Sequence, residues 1–232
     1  MHTISPVGTI HTPYKEKFAI PRQPSLAPSV ITELHLSGAA NTEAAVRELE
    51  QFSHLWLLFL FDQNLQAGWK PTVRPPRLGG NERVGVFASR STFRPNGIGM
   101  SAVKLLGVEQ KQGQVIIKLG NVDLVDGTPI IDIKPYIPYS DSIAEAQGGY
   151  ADSAPISMPV HFTAEANSVL NKHPDHSYRK QALSEILSQD PRPAYKKGKT
   201  DSKVYAASLF DWNVSFCADD KGIHVLNIAP LA

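Results

Sequence analysis

The sequence predicts a mainly β protein: a small antiparallel or mixed β-barrel over residues 1–157, followed by a smaller α+β C-terminal domain over 158–232. Two observations predict it. The first part holds six or more short strand-like segments and a single short helix. Near Asp141 the chain turns small and polar, and helical spacing follows. Eighteen prolines in 232 residues, against a usual share of about 5%, favour short strands and stiff loops.

In chain order, residues 4–10 and 30–36 alternate apolar and polar side chains and read as strands. Between them YKEKFAIPRQPSLAP is broken by proline and is a loop. Asn41 or Thr42 caps a short helix, Glu43–Leu49. His54–Phe61 is apolar throughout and reads as a central strand buried on both faces. After the Pro/Arg segment Lys70–Glu82, strands are expected at Val84–Ser89, Ser101–Val108, Val115–Leu119 and Thr128–Lys134, the last entered through the turn Asp126–Gly127. Ser140–Pro155 reads as a linker or mobile excursion. Beyond it come helices Ala164–Leu170 and His176–Leu187, then two strands, Val204–Phe216 and Ile223–Ile228, joined at Asp219–Gly222.

Charge and cysteine usage narrow the function. The net charge is +1, so any anionic partner must be met locally. Trp69–Arg94 carries Lys70, Arg74, Arg77, Arg83, Arg90 and Arg94 against Glu82; a second cluster, Arg192, Lys196, Lys197 and Lys199, faces Asp190. A solvated face is the bland reading of each; two Pro- and Gly-rich clusters favour an anionic partner. One cysteine, Cys217, forms no intramolecular disulfide, fits a reducing cytoplasm and cannot hold an iron–sulfur cluster. No apolar run reaches the roughly 18–20 residues of a membrane span, and the N-terminus lacks a secretory signal pattern. His173 and His176 lack a third ligand, so no metal site is expected.

Four segments have chemical potential. In RSTFRPNGIGMS (Arg90–Ser101) two arginines flank a Gly-rich turn, suited either to an anionic ligand or to a plain barrel corner. Asp126 forms a turn and is also placed to accept from a ligand amine or a proton. IPRQP presents Arg22 and Gln23 from a loop stiffened on both sides, and FDQN ends the apolar strand with polar side chains.

Taken together, PYKEKFAIPRQP, FSHLWLLFLF, GWKPTVRPPRLGG, VGVFASRSTFRPNGIG and DLVDGTPIIDIKPY resemble the TsaA-like family, and within it the bacterial tRNA adenine-N6-methyltransferases of the YaeB type. FTAE (Phe162–Glu165) and QDPRPAYKKG (Gln189–Gly198) resemble the same subgroup, so the likeness spans almost the whole chain. The resemblance implies an S-adenosylmethionine-binding barrel acting as a homodimer. The implied substrate is N6-threonylcarbamoyladenosine beside the anticodon, at position 37, of threonine tRNA. It implies cofactor contacts from Pro21, Arg22, Gln23, Asp62, Gln63, Arg90, Ser101, Ala102, Asp123, Leu124, Val125 and Asp126. Arg74, Arg77, Arg83, Arg94, Lys134, Arg192, Lys196 and Lys197 are candidates for tRNA. Tyr195 either stacks on a base or packs beneath the PRP turn, the commoner fate of such a residue. Asp126 is the candidate base. Many relatives carry Pro at the place of Gly97 and His at the place of Asp62. Two alternatives stand beside this reading: a barrel-type methyltransferase of a small metabolite, and a non-enzymatic module that binds RNA or nucleoside.

Overall fold

The computed structural model describes residues 3–197 and 199–231, which divide into two compact units. The first comprises the residues up to His11, then Ile31–Val122 and Gly127–Ser153; the second comprises Thr12–Val30, Asp123–Asp126 and the residues from Ala154 onward.

The first unit is a closed barrel. Its strands are β1 (Gly8–His11), β2 (Thr32–Leu36), β3 (His54–Leu60), then, after the two-residue pair β4 (Thr72–Val73) and β5 (Val84–Gly85), β6 (Ile98–Lys111), β7 (Gln114–Leu119) and β8 (Pro129–Pro135). The order is β1-β2-β7-β6-β3-β8, closed by antiparallel pairing of β8 with β1, which leaves no exposed sheet edge around the ring. Short turns explain the neighbours: Gln112–Gly113, both at positive φ, reverse the chain between β6 and β7. A register shift between Leu105 and Gly107 bends β6, so its first half ladders with β3 and its second with β7.

Several expectations are corrected here. His54–Phe61 is not buried on both faces: Leu55, Leu57 and Phe59 point into the core while the alternate residues are partly exposed, because a barrel has a single interior. The helix over Glu43–Leu49 is instead two 3-10 turns, Glu43–Val46 and Leu49–Gln51, interrupted at Glu48 with φ 65°. Val84–Ser89 yields only β5 and the 3-10 turn Val86–Ala88. Two short helices also occur, α1 (Asp62–Leu65) and α2 (Pro138–Asp141), the latter overlapping the start of the expected linker.

In the second unit β9 (Val160–Phe162), β10 (Asp201–Leu209), β11 (Trp212–Ala218) and β12 (Ile223–Pro230) form a sheet of order β10-β11-β12-β9, with β9 parallel to β12. Helices α3 (Ala164–Leu170) and α4 (His176–Ser188) supply Ala166, Leu170, Ala182, Leu183, Ile186 and Leu187 to its core. Thr163 caps α3 by accepting from the Ala166 amide. The expected strand Val204–Phe216 breaks into a hairpin at Phe210, whose φ is 59°. Tyr14, Ala19, Ala27 and Val30 of the Pro-broken loop are also buried in this core, and Tyr14 bridges to Leu209. Burial is the main reason the Tyr14 phenol is held above its ordinary pKa, with Tyr178, Asp123 and Glu185 adding to it.

Candidate functional site

Strand register defines one end of the barrel. At this end β3 finishes (Leu60 opposite Ile98), β8 begins (Ile130 opposite Phe59 and Gly8), β1 finishes, and β7 finishes opposite the start of β2. The chain leaves this end after His11, Leu60 and Leu119, and re-enters at Ile31, Ile98 and Gly127. The segment holding Asp62 and Arg90 is therefore a connection at this barrel end. Among the candidate cofactor residues, Asp62, Gln63, Arg90, Ser101 and Ala102 belong to the first unit; Pro21, Arg22, Gln23, Asp123, Leu124, Val125 and Asp126 belong to the second.

Asp62 and Gln63 are exposed on α1, directly after Phe61, whose amide donates to Gly97 O at 2.7 Å. Ser101 and Ala102 lie opposite Leu57 and Trp56, in the half of β6 that ladders with β3. The loop before them is tightly ordered from within. Arg94 donates to the carbonyls of Val86 (3.3 Å) and Ser89 (2.8 Å), Asn64 donates to Thr92 Oγ1 (2.7 Å), and the Gly97 amide closes a turn on Arg94 O. Arg94 thus spends its guanidinium on shaping the loop. Gly97 has φ 62°, and a Cβ there would strike Leu65; a Cβ on buried Gly99 would strike the rings of Phe59 and Phe61. Proline, fixed near φ −65°, cannot adopt the Gly97 conformation.

In the second unit Asp126 is the connecting group. Its Oδ1 accepts from the Thr12 amide at 2.9 Å, its Oδ2 pairs with Lys15 Nζ at 2.8 Å, and its own amide donates to Tyr14 O. Thr12 Oγ1 donates to Leu124 O, so the turn Asp123–Asp126 is held against the start of the Pro-broken loop at three points. The carboxylate remains 28% exposed, enough to be reached by a ligand. Lys15 was not singled out by sequence: it lies 111 positions from its partner, and only the fold reveals the pair. Pro21 is buried and Arg22 exposed, with the Gln23 side chain donating to Arg22 O.

The basic residues divide sharply. Arg74, Arg77, Arg83, Arg90 and Lys134 are exposed, as is Tyr195 at 66%, which removes the reading of Tyr195 as packed beneath the turn. Arg77 donates to Ser153 O and Arg83 to Thr72 Oγ1. Arg192 departs from the expectation of a solvent-facing phosphate contact. It is 1% exposed, and its Nε and Nη2 make a two-pronged bridge to Asp190 at 2.8 and 2.9 Å while Nη1 donates to Lys199 O. Hydrogen bonding to Asp190 raises its pKa, burial opposing. Lys196 pairs with Asp201 at 3.2 Å. Lys197 donates to Gln189 O; its ammonium titrates below the ordinary value, first through lost hydration and then through Arg22 and Arg192, with Asp190 opposing. Among the described residues no group of three or more His, Cys, Asp or Glu is arranged to hold a metal ion.

The comparisons with known proteins agree on one family. The model of the tRNA-methyltransferase O N-terminal domain matches residues 9–142, and that of the TrmO C-terminal domain matches residues 155–231. A tRNA (adenine(37)-N6)-methyltransferase of Escherichia coli is 53% identical over 226 residues, covering 97% of this chain and 96% of that protein. A putative S-adenosylmethionine-dependent methyltransferase of Pseudomonas aeruginosa is 45% identical over 92% of this chain and 91% of its own length. The crystal structure of TrmO from Pseudomonas aeruginosa superposes with a TM-score of 0.80 at 38% identity, covering 99% of this chain and 98% of that one. With both of its domains matched in order, the chain belongs to the tRNA-methyltransferase O family.

Proposed function

We propose that this protein is an S-adenosylmethionine-dependent tRNA (adenine(37)-N6)-methyltransferase, and that its target is N6-threonylcarbamoyladenosine in threonine tRNA. Near-full-length identity to a tRNA (adenine(37)-N6)-methyltransferase supports the first statement. The single structural observation that carries the reading is the barrel end at which the connection from β3 to β6, holding Asp62, Gln63 and Arg90, leaves and re-enters the ring.

The residues present fit the cofactor. Exposed carboxylates at Asp62 and part-exposed ones at Asp123 and Asp126 suit an ammonium and ribose hydroxyls, while Arg22 and Arg90 suit a carboxylate. Bound there, S-adenosylmethionine would supply a methyl group from its sulfonium, taken up in line by the ureido nitrogen N6 as the carbon–sulfur bond breaks and S-adenosylhomocysteine leaves. The protein's task is alignment and exclusion of water, for which stiff, internally bonded loops are suited. Asp126 is the proposed acceptor of the proton lost by the target nitrogen, with Lys15 holding it in place. The exposed Arg74, Arg77, Arg83, Lys134 and Lys197 and the half-buried Lys196 are the proposed phosphate contacts, with Tyr195 a stacking platform. The C-terminal domain over residues 158–232 is proposed to contact tRNA, and the protein to act as a cytoplasmic homodimer.

Nucleoside mass spectrometry of tRNA from a deletion strain tests the substrate. Loss of the methylated threonylcarbamoyladenosine and accumulation of its unmethylated form are expected. An unchanged nucleoside profile would remove this substrate.

A further inference from the structure

Strands β4 and β5 pair as a ribbon outside the barrel ring, Thr72 opposite Gly85 and Val73 opposite Val84. The Val86 amide donates to Pro71 O at 3.0 Å and extends the pairing by one step. At this base of the ribbon the 3-10 turn Val86–Ala88 is fixed from several directions. Arg94 donates to the carbonyls of Val86 and Ser89, Ser89 Oγ donates to Val86 O at 2.9 Å, and Tyr150 Oη donates to Ala88 O at 2.9 Å. Val86 is 1% exposed, whereas the next residue, Phe87, is 76% exposed. Beside Phe87, a Cβ on Gly85 would meet only open space.

A slack loop would fold an exposed phenylalanine onto the nearest apolar surface, because that takes its ring out of water. Here the backbone on both sides of Phe87 is committed to hydrogen bonds, so the ring stays out. The Arg94 guanidinium lies 5.9 Å from the ring centroid and steadies it, and most of the ring is left for another planar group. Lone exposed apolar side chains are ordinary; the charge around this one selects an occupant. Arg74 and Arg83 stand immediately beyond the last ribbon pair, one on each strand, and both are exposed. Arg83 reaches Thr72 Oγ1, on the face that alternation also gives to Arg74. Like charges on neighbouring strands oppose one another, and among the described residues neither arginine forms an ion pair. A held aromatic at one end of the ribbon and two unneutralised guanidinium groups at the other complement a chain that carries flat faces and negative charges along its length. Single-stranded RNA has that chemistry.

We propose that the β4–β5 ribbon is an RNA-binding arm in which Phe87 stacks on one unpaired base of the substrate loop. Arg74 and Arg83 hold phosphates of the same strand. This assignment rests on the reading of the protein as a tRNA-modifying enzyme and gives that reading a base contact within the first unit. Stacking tolerates any base, so the arm sets the position of the loop rather than its sequence.

The test is titration of the full chain with an RNA stem-loop of threonine tRNA anticodon sequence, over a range of salt concentrations. Phe87→Ala should weaken binding by roughly 5- to 150-fold, the range for loss of one base–aromatic stack. Phe87→Trp should restore it, while Phe87→Leu, apolar but without a ring, should not. The salt dependence should be unchanged in Phe87→Ala and should fall by about one unit of slope in Arg74→Ala or Arg83→Ala. Affinity for S-adenosylmethionine and the sedimentation of the protein should match the unaltered chain in every Phe87 variant. Full binding by Phe87→Ala or Phe87→Leu would overturn the proposal. So would weakened S-adenosylmethionine binding, which would place Phe87 in the cofactor site, or an altered sedimentation, which would place it between copies of the chain. Stem-loop binding and tRNA methylation by the unaltered protein, measured alongside, separate failure of the arm from failure of the enzymatic reading.

Discussion

Asp126 and Lys15, 111 positions apart, meet at 2.8 Å, and the same carboxylate accepts the amide of Thr12. One side chain therefore fastens the turn Asp123–Asp126 to the loop that presents Pro21, Arg22 and Gln23. Asn at this position can still accept from Thr12 but can neither pair with Lys15 nor take a proton. Asp126→Asn is expected to lower turnover by about 10²–10⁴-fold, the range of general-base catalysis, with a far smaller loss of affinity for S-adenosylmethionine, since the amide oxygen still accepts hydrogen bonds. Lys15→Ala should leave turnover within roughly tenfold, since it removes a partly exposed ion pair. Equal losses in the two variants would make the ion pair, rather than proton acceptance, the functional element.

Arg192 is a structural residue in a basic stretch. Removing it leaves Asp190 buried and uncompensated, so Arg192→Ala should cost about 3–5 kcal/mol in urea unfolding. Arg192→Lys should also destabilise, because a lysine cannot make the two-pronged bridge. A stable Arg192→Ala protein with weakened, salt-dependent tRNA binding would instead restore the phosphate role.

Gly97 and Gly99 shape the loop that follows Arg90. Ala at Gly99 must displace the rings of Phe59 and Phe61 and is expected to cost about 1–3 kcal/mol. Ala at Gly97 adds a positive-φ strain to its clash with Leu65. Thermal unfolding of the two variants checks both; unchanged midpoints would mean that the loop relaxes freely.

Asp201 is held near a pKa of about 2, first by the Tyr205 hydroxyl at 2.7 Å, then by the Lys203 amide and Lys196. A carboxyl lowered in the folded state stabilises the fold above its ordinary value of 3.8, and that contribution fades as pH falls toward 2. Tyr205→Phe should move the Asp201 titration upward in NMR. An unmoved titration would assign the shift to the other two partners.

Elements whose signal is local were legible in the sequence. Ala164–Leu170 emerges with its observed bounds because Thr163 caps it and its apolar spacing is helical. The hairpin at Phe210 was not, because its turn has no Gly or Asn. Its positive-φ residue is a phenylalanine whose ring lies beneath Arg179, a tertiary contact. The failed helix at Glu43–Leu49 has the same cause: Glu48 takes a left-handed conformation that nothing in its neighbours announces. In the site, the turn at Asp126–Gly127 and the stiffened Arg22 loop were legible from Gly and Pro. Charge clusters were not, since Arg77, Arg94 and Arg192 read alike in sequence, yet only Arg192 is buried in an ion pair.

The most direct measurement is methyl transfer by purified protein. The protein is incubated with threonine tRNA carrying threonylcarbamoyladenosine and isotope-labelled S-adenosylmethionine, and the digested nucleosides are weighed by mass spectrometry. The account predicts one labelled methyl on N6 of the threonylcarbamoyladenosine at position 37. Label on another nucleoside, or none with the donor demonstrably bound, would contradict it.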